Sequence, residues 1–149
     1  MKKFFLIFAP VIALYSSFVQ SSELKTMLVT DGNLNGQATT DIYFGESDEN
    51  YCTISLNNKL ITSNTITKSK SKNNKKLNTE CNWDGVYYIQ SSKHSTTVTA
   101  YFTTLSADTK TATLEVSIKL INTKDSKSYF RLDNQKLLIT GEMFDSLGK

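Results

Sequence analysis

Thr111-Ala112-Thr113-Leu114-Glu115-Val116-Ser117-Ile118-Lys119-Leu120-Ile121 alternates polar and apolar side chains with a period of two. Ala112, Leu114, Val116, Ile118 and Leu120 fall on one face, and Thr111, Thr113, Glu115, Ser117 and Lys119 on the other. Successive side chains of an extended chain point to opposite faces, so the pattern predicts a strand with one side in a core and the other in water. Residues 95–105 repeat it more loosely, with Val98, Ala100 and Phe102 inward and Thr97, Thr99, Tyr101 and Thr103 outward. These two segments pair through a turn at Ser106-Ala107-Asp108.

Outward from this hairpin, residues 24–30, 39–44, 51–56, 60–66, 86–90, 128–132 and 136–140 are rich in threonine, valine, isoleucine and tyrosine, as strands prefer. Asp31-Gly32, Asn35-Gly36, Asn57-Asn58, Asp84-Gly85 and Asp133-Asn134 punctuate them, residues that accept positive φ or bond their own backbone. No 3.6-residue apolar stripe appears beyond the N-terminus, and only residues 142–147 suit a helical turn. The expected fold is all-β: an antiparallel sandwich or a partly closed barrel, the two ways such sheets hide their edges.

Lys2 and Lys3 precede an apolar run, Phe4 to Leu14, followed by small and polar residues up to Ser22. The run is shorter than the roughly twenty residues a membrane-spanning helix needs, so it reads as a secretory leader, residues 1–21, cut after Ser21. Residues 22–149 then form a single all-β domain. Export licenses a disulfide between the only two cysteines, Cys52 and Cys81. Loss of the leader also takes Lys2 and Lys3 away, so the formal charge of +3 falls to +1. A nearly neutral chain with one arginine, Arg131, is a poor match for a phosphate backbone, and nucleic acid is not an expected partner.

Three clusters could carry function. Trp83, Tyr87 and Tyr88 surround the Asp84-Gly85 turn, and alternation sends the two tyrosines to opposite faces; an exposed aromatic there is a candidate binding face, and a buried one a satellite core. Lys68, Lys70, Lys72, Lys75 and Lys76 interleave with serine and asparagine in residues 67–78. That run reads as an exposed loop inside the disulfide, or as a basic landing strip for an acidic surface. It would face the acidic turn of Glu46, Asp48 and Glu49 across the sheet. His94, the only histidine, lies among Ser91, Ser92 and Ser95. It reads as a surface turn residue, since no GxSxG elbow and no third orienting residue accompany it. No catalytic residue is expected, and one histidine beside two paired cysteines leaves no metal site and no cofactor.

These observations point to an exported, non-enzymatic binding or assembly module, a periplasmic or cell-surface β domain of the sort used in pilus, adhesin or secretion assemblies. Its partner would be another protein or a cell-surface component, with membrane contact only if the leader is retained. A retained leader would instead make the domain a periplasmic sensory partner of a single-pass regulator. A hairpin at Asn73-Asn74 would suit a periplasmic inhibitor or immunity-type protein that plugs an enzyme cleft.

Overall fold

The computed structural model describes residues 23–63, 67–69 and 75–149. The leader, Lys70, Lys72 and the Asn73-Asn74 hairpin lie outside them. Nine antiparallel strands follow in chain order: β1 (Lys25–Leu34), β2 (Gln37–Gly45), β3 (Tyr51–Asn57), β4 (Thr67–Ser69), β5 (Leu77–Trp83), β6 (Val86–Ile89), β7 (Thr97–Ser106), β8 (Thr111–Asn122) and β9 (Tyr129–Thr140), with a four-residue helix, α1 (Glu142–Asp145), after them.

All nine belong to one hydrogen-bonded sheet in the order β1-β2-β3-β5-β6-β8-β7-β4, with β9 on the other edge of β8. The handover occurs where β7 stops at Thr97, opposite Lys119, and β6 takes over on β8 at Ile121 and Asn122. The sheet therefore folds over itself into two facing halves, β1-β2-β3-β5-β6 and β4-β7-β8-β9. Ile42, Phe44, Ile54, Leu56 and Leu77 of the first half meet Val98, Phe102, Leu114, Leu120, Leu137 and Ile139 of the second in one buried cluster. Layering is that of a sandwich. Closure is partial, because β1 runs close to β9 without sharing a ladder with it.

The residues predicted to point inward from β8, Ala112, Leu114, Val116, Ile118 and Leu120, are all buried, as are Val98, Ala100 and Phe102 of β7. Asn35-Gly36 and Asp84-Gly85 turn the β1–β2 and β5–β6 hairpins with positive φ at both positions, the twist that suits a two-residue connection between right-handed strands. Cys52 and Cys81 sit directly opposite one another on β3 and β5 and are joined by a disulfide.

Five expectations fail locally. Asp31-Gly32 is not a turn but part of β1, paired with Thr40 and Thr39. Gly32 serves another end: a Cβ there would stand 2.4 Å from Asp41 Oδ2, so its bare backbone makes room for the Asp41 carboxylate. Asp133-Asn134 does not separate two strands, since β9 runs through it. An irregularity opposite Ser117 absorbs the positive φ of Asn134, and Ser117 Oγ accepts from Asn134 N at 3.0 Å.

Residues 60–63 do not open a strand. Asn57 Oδ1 accepts from Lys59 N at 3.0 Å and starts a 3-10 turn, Asn58–Leu60, from which the chain leaves the first half of the sheet. β4 and the first two residues of β5 stand where the exposed loop of residues 67–78 was expected, and the rest of β5 is a strand for which no element was expected. The acidic turn and the lysines do not face each other either: Asn82 donates to Glu49 O at one end of β5, whereas Lys76 O accepts from Asn57 N at the other.

Candidate functional site

The outer face of the first half is built by alternation and register. With Ile42, Phe44, Cys52, Ile54 and Cys81 turned inward, Tyr43, Tyr51, Thr53, Glu80, Asn82 and Tyr87 must point outward, and pairing aligns Tyr43 with Thr53 and Tyr51 with Asn82, which in turn pairs with Tyr87. The Tyr43 and Tyr51 rings are 6.4 Å apart between centroids. A bulge in β1 between Thr26 and Leu28 brings Met27 and Leu28 to the same depression, about 370 Å³, which Tyr43, Asp48 and Tyr51 also line. Leu28, 50% exposed, lines this depression beside Tyr43 and Tyr51. Apolar and aromatic side chains thus run from the β1 edge to Tyr51, Asn82 stands between Tyr51 and Tyr87, and the carboxylates of Asp41, Asp48 and Glu80 lie on the same face.

One end of this face is held in place. Asn50 Oδ1 accepts from Asp84 N at 2.8 Å, and Asn50 Nδ2 donates to Asp84 Oδ1 at 3.3 Å, tying the β2–β3 loop to the β5–β6 turn. Tyr87 donates its hydroxyl to Glu80 Oε2. Burial, and then this bond to Glu80, holds the Tyr87 phenol far above its ordinary range; burial, with Asp41 beside it, raises Tyr43 as well.

No known protein family, curated protein or solved structure matches this chain. What the face does must be read from its own chemistry. Neutral phenols supply flat, stiff contact area with a hydroxyl at the edge, and the three carboxylates supply acceptors for donor groups of a partner.

The aromatic trio around Asp84-Gly85 is divided between faces. Tyr87 belongs to this outer surface, 39% exposed. Trp83 and Tyr88 turn inward and pack on Phe130, with ring centroids 5.1 and 5.4 Å away, and close one end of the core. Tyr43 and Tyr51 were not among the expected binding residues; the available signal was their position next to Ile42, Phe44 and Cys52, which commits them to the opposite face.

Among the lysines, Lys68 is in β4 rather than a loop, paired with Thr99, while Lys75 and Lys76 are exposed just before β5. His94 is in a turn, and there Ser91 Oγ comes within 3.0 Å of its Nδ1. Among the described residues no carboxylate pairs with His94, and no cluster of His, Cys, Asp and Glu is arranged to hold a metal.

The raised phenols give a direct test of the face. A folded-state value above the unfolded one means that the contribution to stability is whole below pH ~10 and is lost as pH rises past it. Alkaline titration followed at 295 nm should therefore show a late-ionising fraction, and Tyr87→Phe should remove part of it. A late fraction unchanged in Tyr87→Phe would refute the assignment.

Proposed function

We propose that this chain is an exported, non-enzymatic binding module that engages a protein partner through the tyrosine face of its first half-sheet. The observation that carries the proposal is the set of exposed side chains Met27, Leu28 and Tyr87 with the half-buried Tyr43 and Tyr51 on the strands between them. Large aromatics beside exposed aliphatics are the composition of an interface centre, and the carboxylates on the same face set its polarity. Support for export comes from the leader pattern and from a formed disulfide, which persists in oxidising compartments. Among the described residues no helix is long and apolar enough to cross a membrane.

The test is cross-linking on the host cell surface or in its periplasm, with the partner then purified and its affinity measured. Tyr51→Ala should weaken binding by about 30-fold, the scale of a central aromatic anchor (about 2 kcal/mol). Trp83→Phe, on the inner side, should leave affinity unchanged. Equal affinity in wild type and Tyr51→Ala would remove the face from the account. The mass of the protein recovered from the host completes the test. A chain starting at Ser22 supports a free module, and retention of residues 1–21 supports the tethered sensory partner instead.

A further inference from the structure

The opposite outer surface, on β4-β7-β8-β9, carries an unbalanced charge arrangement. Lys119 of β8 stands directly across the ladder from Arg131 of β9. Like charges in facing positions of a sheet are destabilising, and a pair that serves only solubility is ordinarily mixed in sign. Neither residue forms a direct ion pair with a carboxylate among the described residues. The Lys119 ammonium lies 4.5 Å over the Tyr129 ring and donates to Ser95 Oγ at 3.1 Å, contacts that hold its position without neutralising it.

A third cation completes the group. Lys68 is two strands from β8, level with Thr99 and Ser117, a separation of about 10 Å between strands that two extended lysine side chains can bridge. Between them is a depression of about 270 Å³ lined by Lys68, Thr97, Thr99, Ser117, Ile118, Lys119 and Arg131 and by one carboxylate, Asp133, so cations outnumber anions there by three to one. The hydroxyls of Thr97 and Thr99 have no hydrogen-bond partner among the described residues. Three cations and two unengaged hydroxyl donors thus surround one hollow. Arg131 is the only arginine of the chain, and its planar fork matches two oxygens of a tetrahedral anion at once.

We propose that this hollow binds a phosphate group, with Arg131 as the bidentate contact, Lys119 and Lys68 as flanking charges and Thr97 and Thr99 as hydroxyl donors. A carboxylate offers two acceptor oxygens, fewer than this donor set can use, whereas a phosphate offers three or four. The site is separate from the tyrosine face and stands whether or not that face binds a protein. Such a phosphate would be supplied free in solution or as the headgroup of an anionic lipid.

The test has two arms on the chain as purified from its host. In the first, sodium pyrophosphate is titrated while backbone and side-chain resonances are followed. In the second, flotation is measured with vesicles of phosphatidylglycerol in phosphatidylcholine, against phosphatidylcholine alone. Binding in the first arm assigns a free phosphate, and binding in the second alone assigns a headgroup.

In either case the signals of Thr97, Lys119 and Arg131 should move, and the double variant K119Q/R131Q should bind at least tenfold more weakly. Because the double variant also relieves the facing repulsion, its thermal midpoint should stay level or rise. K68Q, outside the Lys119–Arg131 rung, should weaken binding severalfold and guards against a folding defect in the double variant. Absence of binding in both arms overturns the proposal. So does undiminished binding by K119Q/R131Q and K68Q, or an equal loss in K75Q/K76Q.

Discussion

Replacing both cysteines, Cys52→Ala with Cys81→Ala, is expected to lower the free energy of unfolding by about 3 to 4 kcal/mol. The two residues are 29 positions apart, and closing a loop of that length removes about this much conformational freedom from the unfolded chain in the entropy model. Net stabilities of small domains are about 5 to 15 kcal/mol, so the loss is a large share of the whole. The closed loop includes the exit from β3, all of β4 and the entry into β5. It therefore holds together a segment that crosses from the first half-sheet to the second and back. Cys52 and Cys81 face each other within a ladder that also pairs Thr53 with Glu80 and Ile54 with Thr79, so the strands should still register after the bridge is gone. The expected result is a folded but weakened protein, its thermal midpoint lower by about 10 to 15 °C for a domain of this size. Denaturant unfolding with and without reductant is the measurement. Wild type should fall to the level of the double variant when reduced, and the variant should ignore reductant. A midpoint in wild type that does not respond to complete reduction would refute the assignment of this stability to the bridge.

The parts of the fold legible in the sequence were those in which one local signal sufficed. The β7–β8 hairpin has clean alternation over both strands, and Asn35-Gly36 and Asp84-Gly85 have the residues their turns demand. β5 was hidden because its inward set, Leu77, Thr79, Cys81 and Trp83, is weakly apolar, and Asn78, Glu80 and Asn82 between them disfavour strand. Only pairing on both sides, with β3 and β6, makes it extended. Asp31-Gly32 misled for the complementary reason, since its turn chemistry is overruled by the β1–β2 ladder that Asn35-Gly36 sets. The candidate site followed the same rule. Tyr87 could be found beside its turn, but the surface it joins depends on Tyr43, Tyr51 and the β1 bulge, which are brought together by register between strands. The Lys119–Arg131 pairing is likewise a consequence of the irregularity near Ser117, invisible without knowing how β9 slips past β8.

Gln90→Leu should cost about 2 to 4 kcal/mol although it places an apolar side chain in an apolar setting. Gln90 is only 1% exposed, just where β6 ends and the chain turns toward the second half of the sheet. Its Oε1 accepts from Thr79 N at 2.7 Å, and its Nε2 donates to Ser69 Oγ at 2.9 Å. The side-chain amide thus supplies the next rung for β5 after the β6 backbone has departed, and it reaches across to β4 of the facing half. Leucine removes both bonds and leaves the buried Thr79 N–H without its acceptor, a desolvation cost of about 1 to 3 kcal/mol in addition to the bond itself. The neighbouring Ser91–Thr96 turn keeps its own closure, because Thr96 Oγ1 accepts from Ser91 N at 2.9 Å and donates to Ser91 O at 3.0 Å. The damage should therefore be confined to the contact between halves. Amide exchange can read this directly: Thr79 N–H should lose protection in Gln90→Leu, while the β8 amides weaken only as far as global stability falls. Gln90→Glu sharpens the argument, since a carboxylate keeps the acceptor but must be buried. Desolvation raises the pKa of such a group, so its protonated form fits the site and stability should decline as pH rises from acid toward neutral. If Gln90→Leu unfolds within about 1 kcal/mol of wild type and Thr79 N–H stays protected, the packing between the halves and the β6–β8 ladder suffice to join them and this amide is not a significant link.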